Sequence, residues 1–282
     1  MTEIIMAVIP VVIIGIICAA VLVVASKLMA VEENEKFPVI RQCLPGANCG
    51  ACGFAGCDGY AKALCDNPDT PINLCIPGAD NVAKQLSEIL GVEFADVAEQ
   101  IAVVHCSGDC THTQDKYIYQ GIESCAAAKL LYGGKGSCTY GCMGLGDCAN
   151  ACPQNAISVI ANAAVINPVD CVGCGLCTRT CPNGLISLVT DTKNVVVTCS
   201  NHDKGAVTRK YCFNGCIGCK KCERVCPLNA IKVIDNVAVI DYKKCPDCPN
   251  FGICAENCTT GCIKISDLHG LHSVKRVWRV ES

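Results

Sequence analysis

The chain has 282 residues, with 29 cysteines, five phenylalanines and one tryptophan, and a formal net charge of −3. So few aromatics exclude a large apolar core, and an acidic chain without interleaved basic and aromatic residues excludes nucleic-acid binding. An odd cysteine count, gathered in runs and without a cleavable secretory signal, argues against a disulfide scaffold and for small metal-stapled domains in a reducing compartment.

Charge is divided unevenly along the chain. Residues 1–192 carry nine basic and eighteen acidic side chains, and residues 193–282 carry fourteen basic and eight acidic. A basic half of this kind can dock an acidic partner and speed its association.

Ile4 to Ala25 is an unbroken apolar run. As a helix rising ~1.5 Å per residue it spans ~33 Å, enough for a hydrocarbon core of ~30 Å. Pro10 and Gly15 are tolerated in such a helix. A signal peptide would have a basic start and a shorter apolar stretch, whereas this chain begins Met1-Thr2-Glu3. Residues 1–28 are therefore expected to be a retained single-pass anchor in the cell (inner) membrane. Lys27 follows the run and no basic residue precedes it, which places the remainder on the cytoplasmic side. Cys18 lies inside the run as a packing residue.

Residues 29–90 form the next expected domain. After the charged stretch Val31 to Lys36 comes Leu44 to Ala61, LPGANCGACGFAGCDGYA. Cys49, Cys52 and Cys57 have the spacing C-x2-C-x4-C, tightened by Gly50, Gly53 and Gly56, and Cys75 is the natural fourth thiol. These four are expected to hold a [4Fe–4S] cluster. A four-cysteine zinc site is the competing reading. Cys43 and Cys65 are left as buried small hydrophobes.

Residues 91–130 are expected to be a connector. Ala79 to Val104 predicts two short helices broken at Gly91, then a β-like run ending at Cys106. Cys110 and Cys125 follow in no recognisable spacing. A second β-like run, Val195 to Thr198, ends at Cys199 inside an expected connector strand, residues 193–211.

The rest is organised by an internal repeat of 74 residues. Under that shift Cys138 meets Cys212, Cys142 meets Cys216, Cys148 meets Cys222, Cys152 meets Cys226, Cys171 meets Cys245 and Cys174 meets Cys248. The stretches CPQNAISVIANAAVI and CPLNAIKVIDNVAVI also match, each a helix end, a strand, a tight turn and a second strand. Within the second copy, Cys216, Cys219, Cys222, Cys226 and Pro227 make C-x2-C-x2-C-x3-C-P, the run that wraps a [4Fe–4S] cluster in bacterial ferredoxins. Three thiolates must reach three corners of one cube, so the loop curls tightly and Gly218 permits the turn. The fourth cysteine serves the other cluster. Two modules follow, residues 131–192 and 212–265, with a basic tail over residues 266–282.

In the first module Leu145 stands where the second has Cys219, so Cys138 is taken as the substitute. Its first cluster is expected to use Cys138, Cys142, Cys148 and Cys181, and its second Cys171, Cys174, Cys177 and Cys152. In the second module the sets are Cys216, Cys219, Cys222 and Cys258, then Cys245, Cys248, Cys254 and Cys226. Cys212 is then a spare, and Cys262 a competitor for the last site. About five clusters result. A sixth from Cys106, Cys110, Cys125 and Cys199 is the alternative. The fold class is α+β: a transmembrane helix, a small cysteine-rich [4Fe–4S] domain and two tandem bacterial-type 2[4Fe–4S] ferredoxin modules.

His105, His112, His202, His269 and His272 show no paired pattern and are read as surface or structural. Neither a dinucleotide-binding nor a phosphate-loop glycine motif is present, so no flavin or nucleotide site is expected. No nucleophile or proton donor marks a complete active site, and no catalytic residue is assigned.

The anchor run, LPGANCGACGFAGC with the later Cys75, and the two ferredoxin repeats closely resemble the B-subunit family of Rnf complexes. The resemblance covers nearly the whole chain, in the longer version with two ferredoxin modules. It implies a subunit of an ion-translocating (Na⁺ or H⁺) ferredoxin:NAD⁺ oxidoreductase that takes electrons from reduced ferredoxin, with other Rnf subunits and the lipid bilayer as partners and with NAD and flavin held elsewhere. The competing functions are a polyferredoxin-type subunit of another membrane redox enzyme, such as a hydrogenase, and a structural zinc-ribbon array.

Overall fold

The computed structural model describes residues 13–25, 35–93, 100–190, 193–245 and 248–267. The chain divides into two compact units, Met1–Val39 and Ile40–Ser282. In the first, residues 13–25 are helical (α1), with Ile13, Ile14, Ile16 and Leu22 exposed. Among the described residues no helix is long and apolar enough to cross a membrane. The start of the expected anchor, residues 1–12, lies outside the described residues, as does most of the basic tail, 268–282.

The second unit begins with the rest of helix α2 (Phe37–Cys43), then α3 (Gly56–Asp66), a 3₁₀ turn (Ile76–Gly78) and α4 (Ala79–Leu90). Tyr60, Ala61 and Leu64 on α3, and Val82, Ala83 and Leu86 on α4, are buried. The spacing puts each trio on one helical face, which is why these helices form here. Helix α4 stops at Gly91, whose φ of 70° is left-handed and whose N–H donates to the Ser87 carbonyl at 2.8 Å. A second expected helix beyond Gly91 falls largely on residues 94–99, outside the described ones.

Among the described residues, eight strands follow in four antiparallel pairs. Strand β1 (Gln100–Val104) pairs with β4 (Ile186–Thr190), and β2 (Ile157–Ile160) with β3 (Ala163–Ile166). Strand β5 (Lys193–Val197) pairs with β8 (Ile263–Asp267), and β6 (Ile231–Ile234) with β7 (Val237–Ile240). The two hairpins turn on Ala161-Asn162 and Asp235-Asn236, all four with positive φ, the signature of a two-residue type I′ turn. Each copy of the repeat is thus one hairpin plus one long-range strand pair. The β-like runs of both expected connectors supply the outer strands β1 and β5.

Those strands read as continuous apolar runs because both faces are buried. On β1, Ala102 and Val104 face the core of the first module, while Ile101 and Val103 face the other way. On β5, Val195 and Val197 enter the core of the second module, and Val196 packs against Ile101, Val103 and Val189. Alternation along a strand therefore joins the modules through a small valine and isoleucine layer. Each such side chain contributes roughly 1.5–3 kcal/mol when fully buried. The module cores themselves contain cysteines: Cys148 and Cys177 in one, Cys216, Cys222, Cys245 and Cys254 in the other.

Candidate metal centres

All 29 cysteines are thiols rather than disulfides. In the amino-terminal site, Cys75 lies within electrostatic reach of Cys57, Cys49 and Cys52. Burial, reinforced by these neighbours, pushes its thiol up to about 11. The loop is shaped by Asn48, whose side-chain oxygen accepts from the Cys57 N–H at 2.9 Å. Gly56, with φ of 86°, is required there, since a Cβ would stand 2.9 Å from that oxygen. Beneath the site the buried Tyr60 stacks on Phe54 at 5.3 Å and donates its hydroxyl to the Pro71 carbonyl at 2.7 Å.

In the first ferredoxin module, Cys177 faces Cys171, Cys174 and Cys152, the expected second set. The Ala102 N–H donates to the Cys171 sulfur at 3.5 Å, and burial pushes Cys177 up to about 11. The other group differs from expectation. Cys148 faces Cys142, Cys125 and Cys181, and these four line one small cavity. Cys125 opens helix α5 (Cys125–Lys129), capped by Ser124, whose hydroxyl accepts from the Ala127 N–H at 3.4 Å. The Ser124 hydroxyl and the Ala126 N–H both donate to Asp147 on the short helix α6 (Asp147–Asn150), which carries Cys148. This short bridge delivers Cys125 to the group, and Cys138 is turned instead toward Cys106, Cys199 and Cys212.

In the second module, Cys222 faces Cys216, Cys219 and Cys258, and Cys254 faces Cys245 and Cys226. Cys245 faces Cys248 and Cys226, which completes that set. Cys262 lies not there but 3.6 Å from Cys258, beside Cys216. Its single S–H can serve either sulfur, and this sharing lowers the Cys258 and Cys216 thiols and raises Cys262 itself. Cys262 occupies the core position filled by Leu185 in the first module, and both are almost wholly buried.

The curled loops need left-handed residues in front of their short helices. Gly146, Gly175, Lys220 and Gly252 all have positive φ, Lys220 being the one with a side chain. Gly144 and Gly218 are equivalent in the repeat; a Cβ would come 2.5 Å from the Asn162 carbonyl at the first and 3.2 Å from the Asn236 carbonyl at the second.

The donor sets consist of thiols alone, and within each module one cysteine crosses to the other group, as in two-cluster ferredoxins, which fits cubane clusters.

The sites adjoin one another. Arg179, on helix α7 (Leu176–Thr180), donates to the Cys49 carbonyl, and Cys174 lies within electrostatic reach of Cys49. Cys152 and Cys226 leave one loop of their module to join the group of the other, so the two groups within a module share a chain segment.

Residues 44–77 match the family described as "Putative Fe-S cluster", and residues 137–185 and 170–230 match two families described as "4Fe-4S dicluster domain". The B-subunit of the proton-translocating ferredoxin:NAD(+) oxidoreductase complex of Clostridium ljungdahlii is 43% identical over 94% of this chain and 93% of the relative. The chain belongs to the B-subunit family of Rnf complexes. Two further members are similar along their length. The B-subunit of the ion-translocating oxidoreductase complex of Methanosarcina acetivorans is 39% identical over 89% of this chain and 94% of its own. The B-subunit of the Na(+)-translocating ferredoxin:NAD(+) oxidoreductase complex of Acetobacterium woodii is 36% identical over 88% of this chain and 74% of its own. In the first module the thiol that stands with Cys142, Cys148 and Cys181, where sequence spacing had placed Cys138, is Cys125. Its signal was faint: it stands apart from Cys142 and carries no short-range motif.

Proposed function

We propose that this chain is the electron-transfer subunit of an ion-translocating ferredoxin:NAD⁺ oxidoreductase. It takes electrons from reduced ferredoxin and relays them toward the membrane subunits. The observation that carries the reading is the row of adjoining four-thiol groups: Cys49, Cys52, Cys57 and Cys75; Cys152, Cys171, Cys174 and Cys177; Cys125, Cys142, Cys148 and Cys181; Cys216, Cys219, Cys222 and Cys258; Cys226, Cys245, Cys248 and Cys254. Each would hold a [4Fe–4S] cluster, which supplies one-electron chemistry at a potential tuned by charge, sulfur hydrogen bonds and exposure.

The chain's own residues do the tuning and the docking. Backbone N–H groups of Ala102, Leu185 and Ala230 point at the sulfurs of Cys171, Cys181 and Cys226. Cys219 is exposed beside Lys220, which supports the second module as the face that receives the acidic donor. Residues 1–28 tether the chain to the membrane, with its thiol-rich part in the cytoplasm.

The test is electron uptake by the anaerobically purified chain. Mixing with reduced ferredoxin should bleach its visible absorption and raise the EPR signals of reduced cubanes, while NADH alone should do neither. No transfer from ferredoxin would overturn the reading. Deleting residues 1–28 should move the chain from the membrane fraction to the soluble one.

A further inference from the structure

We propose that Cys106, Cys138, Cys199 and Cys212 form a sixth [4Fe–4S] site at the junction of the two ferredoxin modules. The inference rests on reading the other groups as cluster sites. All four thiols line one cavity of about 220 Å³, whereas a single water needs only about 10–15 Å³. Cys138 lies within electrostatic reach of each of the other three.

The site is built rather than incidental. Gly108 brings the backbone against it, since a Cβ there would lie 3.4 Å from the Cys212 sulfur and 3.7 Å from that of Cys106. Asn201, 2% exposed, donates its side-chain amide to the Cys138 sulfur at 3.3 Å and its backbone N–H to that of Cys199 at 3.5 Å. Its oxygen is already committed to the Asp203 N–H at 2.6 Å, so the amide is held with its donor toward the thiols. These donors suit sulfurs that carry negative charge when they ligate metal.

The four thiols are two pairs related by the internal repeat. Cys138 and Cys212 correspond under the 74-residue shift. Cys106 and Cys199 correspond as the residues that follow strands β1 and β5. The hydrogen bonds repeat as well: the Cys142 N–H donates to the Cys106 sulfur at 3.3 Å, and the Cys216 N–H to the Cys199 sulfur at 3.2 Å. Each module gives one strand-end cysteine and one loop cysteine to a shared centre. Cys142 and Cys216 belong to the flanking groups, so the shared site stands between them. An electron received from one module and passed to the other leaves the site unchanged, and no further oxidant or reductant is needed.

The experiment counts iron and acid-labile sulfide per chain in the anaerobically purified full-length protein, with spin integration after full reduction. Six cubanes give about twenty-four irons and five give about twenty. Wild type should show about twenty-four. Cys138→Ala and Cys125→Ala should each lose about four, and the double variant about eight, because the two thiols serve different clusters. Cys110→Ala, which changes an exposed thiol on the cavity rim, should lose none. A wild-type count near twenty, with or without one zinc, overturns the sixth site and leaves the rest of the relay standing. So does a double variant that loses only four, which would put Cys125 and Cys138 on one cluster. A folded, iron-free wild type would instead overturn the function proposed above. The wild-type count and spin total decide the matter even if a variant fails to fold.

Discussion

His105 Nδ1 lies 2.7 Å from the Val197 carbonyl oxygen, and its other ring nitrogen lies 2.6 Å from the Ser187 hydroxyl. A carbonyl only accepts, so Nδ1 carries the proton and Nε2 accepts from Ser187. One neutral ring thereby fastens the end of β1 to β4 and to β5 of the other module.

Burial lowers the His105 pKa from its ordinary 6.5. Unfolding restores ordinary basicity, so the contribution is complete above about pH 6.5 and is lost as pH falls below it. The stability advantage of wild type over His105→Asn, measured by chemical denaturation of the loaded protein, should shrink between pH 8 and pH 5.5. An advantage that is constant with pH would show that burial leaves the basicity of the ring unchanged.

Cys262 stands in the core place of Leu185, with its sulfur 3.6 Å from that of Cys258 and outside the set of Cys216, Cys219, Cys222 and Cys258 proposed above. Cys262→Ala should therefore keep every iron and cost about 1 kcal/mol for a small cavity. Cys258→Ala should lose about four irons. Iron loss in Cys262→Ala would make Cys262 the ligand.

Gly144 and Gly218 hold equivalent left-handed positions, with φ of 67° and 65°. A side chain there costs about 1–2 kcal/mol from the backbone alone. Gly144→Ala also drives its Cβ to within 2.5 Å of the Asn162 carbonyl, against 3.2 Å from Asn236 for Gly218→Ala. Thermal melting should rank Gly144→Ala well below Gly218→Ala; equal losses would mean that the hairpin moves aside.

The charge-reversed variant Lys220→Glu, Lys221→Glu, Arg224→Glu should raise the KM for reduced ferredoxin at least tenfold at low salt, within the range that electrostatic steering spans. The difference should fade as added salt shortens the screening length to about 10 Å at 0.1 M. Stopped-flow reduction over a salt series checks this. A salt-independent KM would move the docking face elsewhere.

Much of the site was legible because ligand runs are local. Cys171, Cys174 and Cys177 must curl round one small object, and that need is written in two-residue gaps. The exchange of Cys152 and Cys226 between groups followed from the same ferredoxin pattern. Cys125 was not legible, because it reaches its group through the Ser124–Asp147 bridge and not through spacing. Cys106 and Cys199 had a signal, their matching places after two β-like runs, but it lies off the 74-residue register. In the first module Cys142 stands 36 positions after Cys106, whereas in the second Cys216 stands 17 positions after Cys199.

By itself the sequence determined the class of chemistry, the repeat and the five short runs of thiols, since these depend on neighbours a few residues apart. Only the tertiary structure set Cys125 beside Cys142, Cys148 and Cys181 and gathered Cys106, Cys138, Cys199 and Cys212 round one cavity between the modules. That choice is made by strands pairing and stacking across long stretches of chain, where burial of Ile101, Val103, Val189 and Val196 against one another, not any local spacing, sets which sulfurs meet.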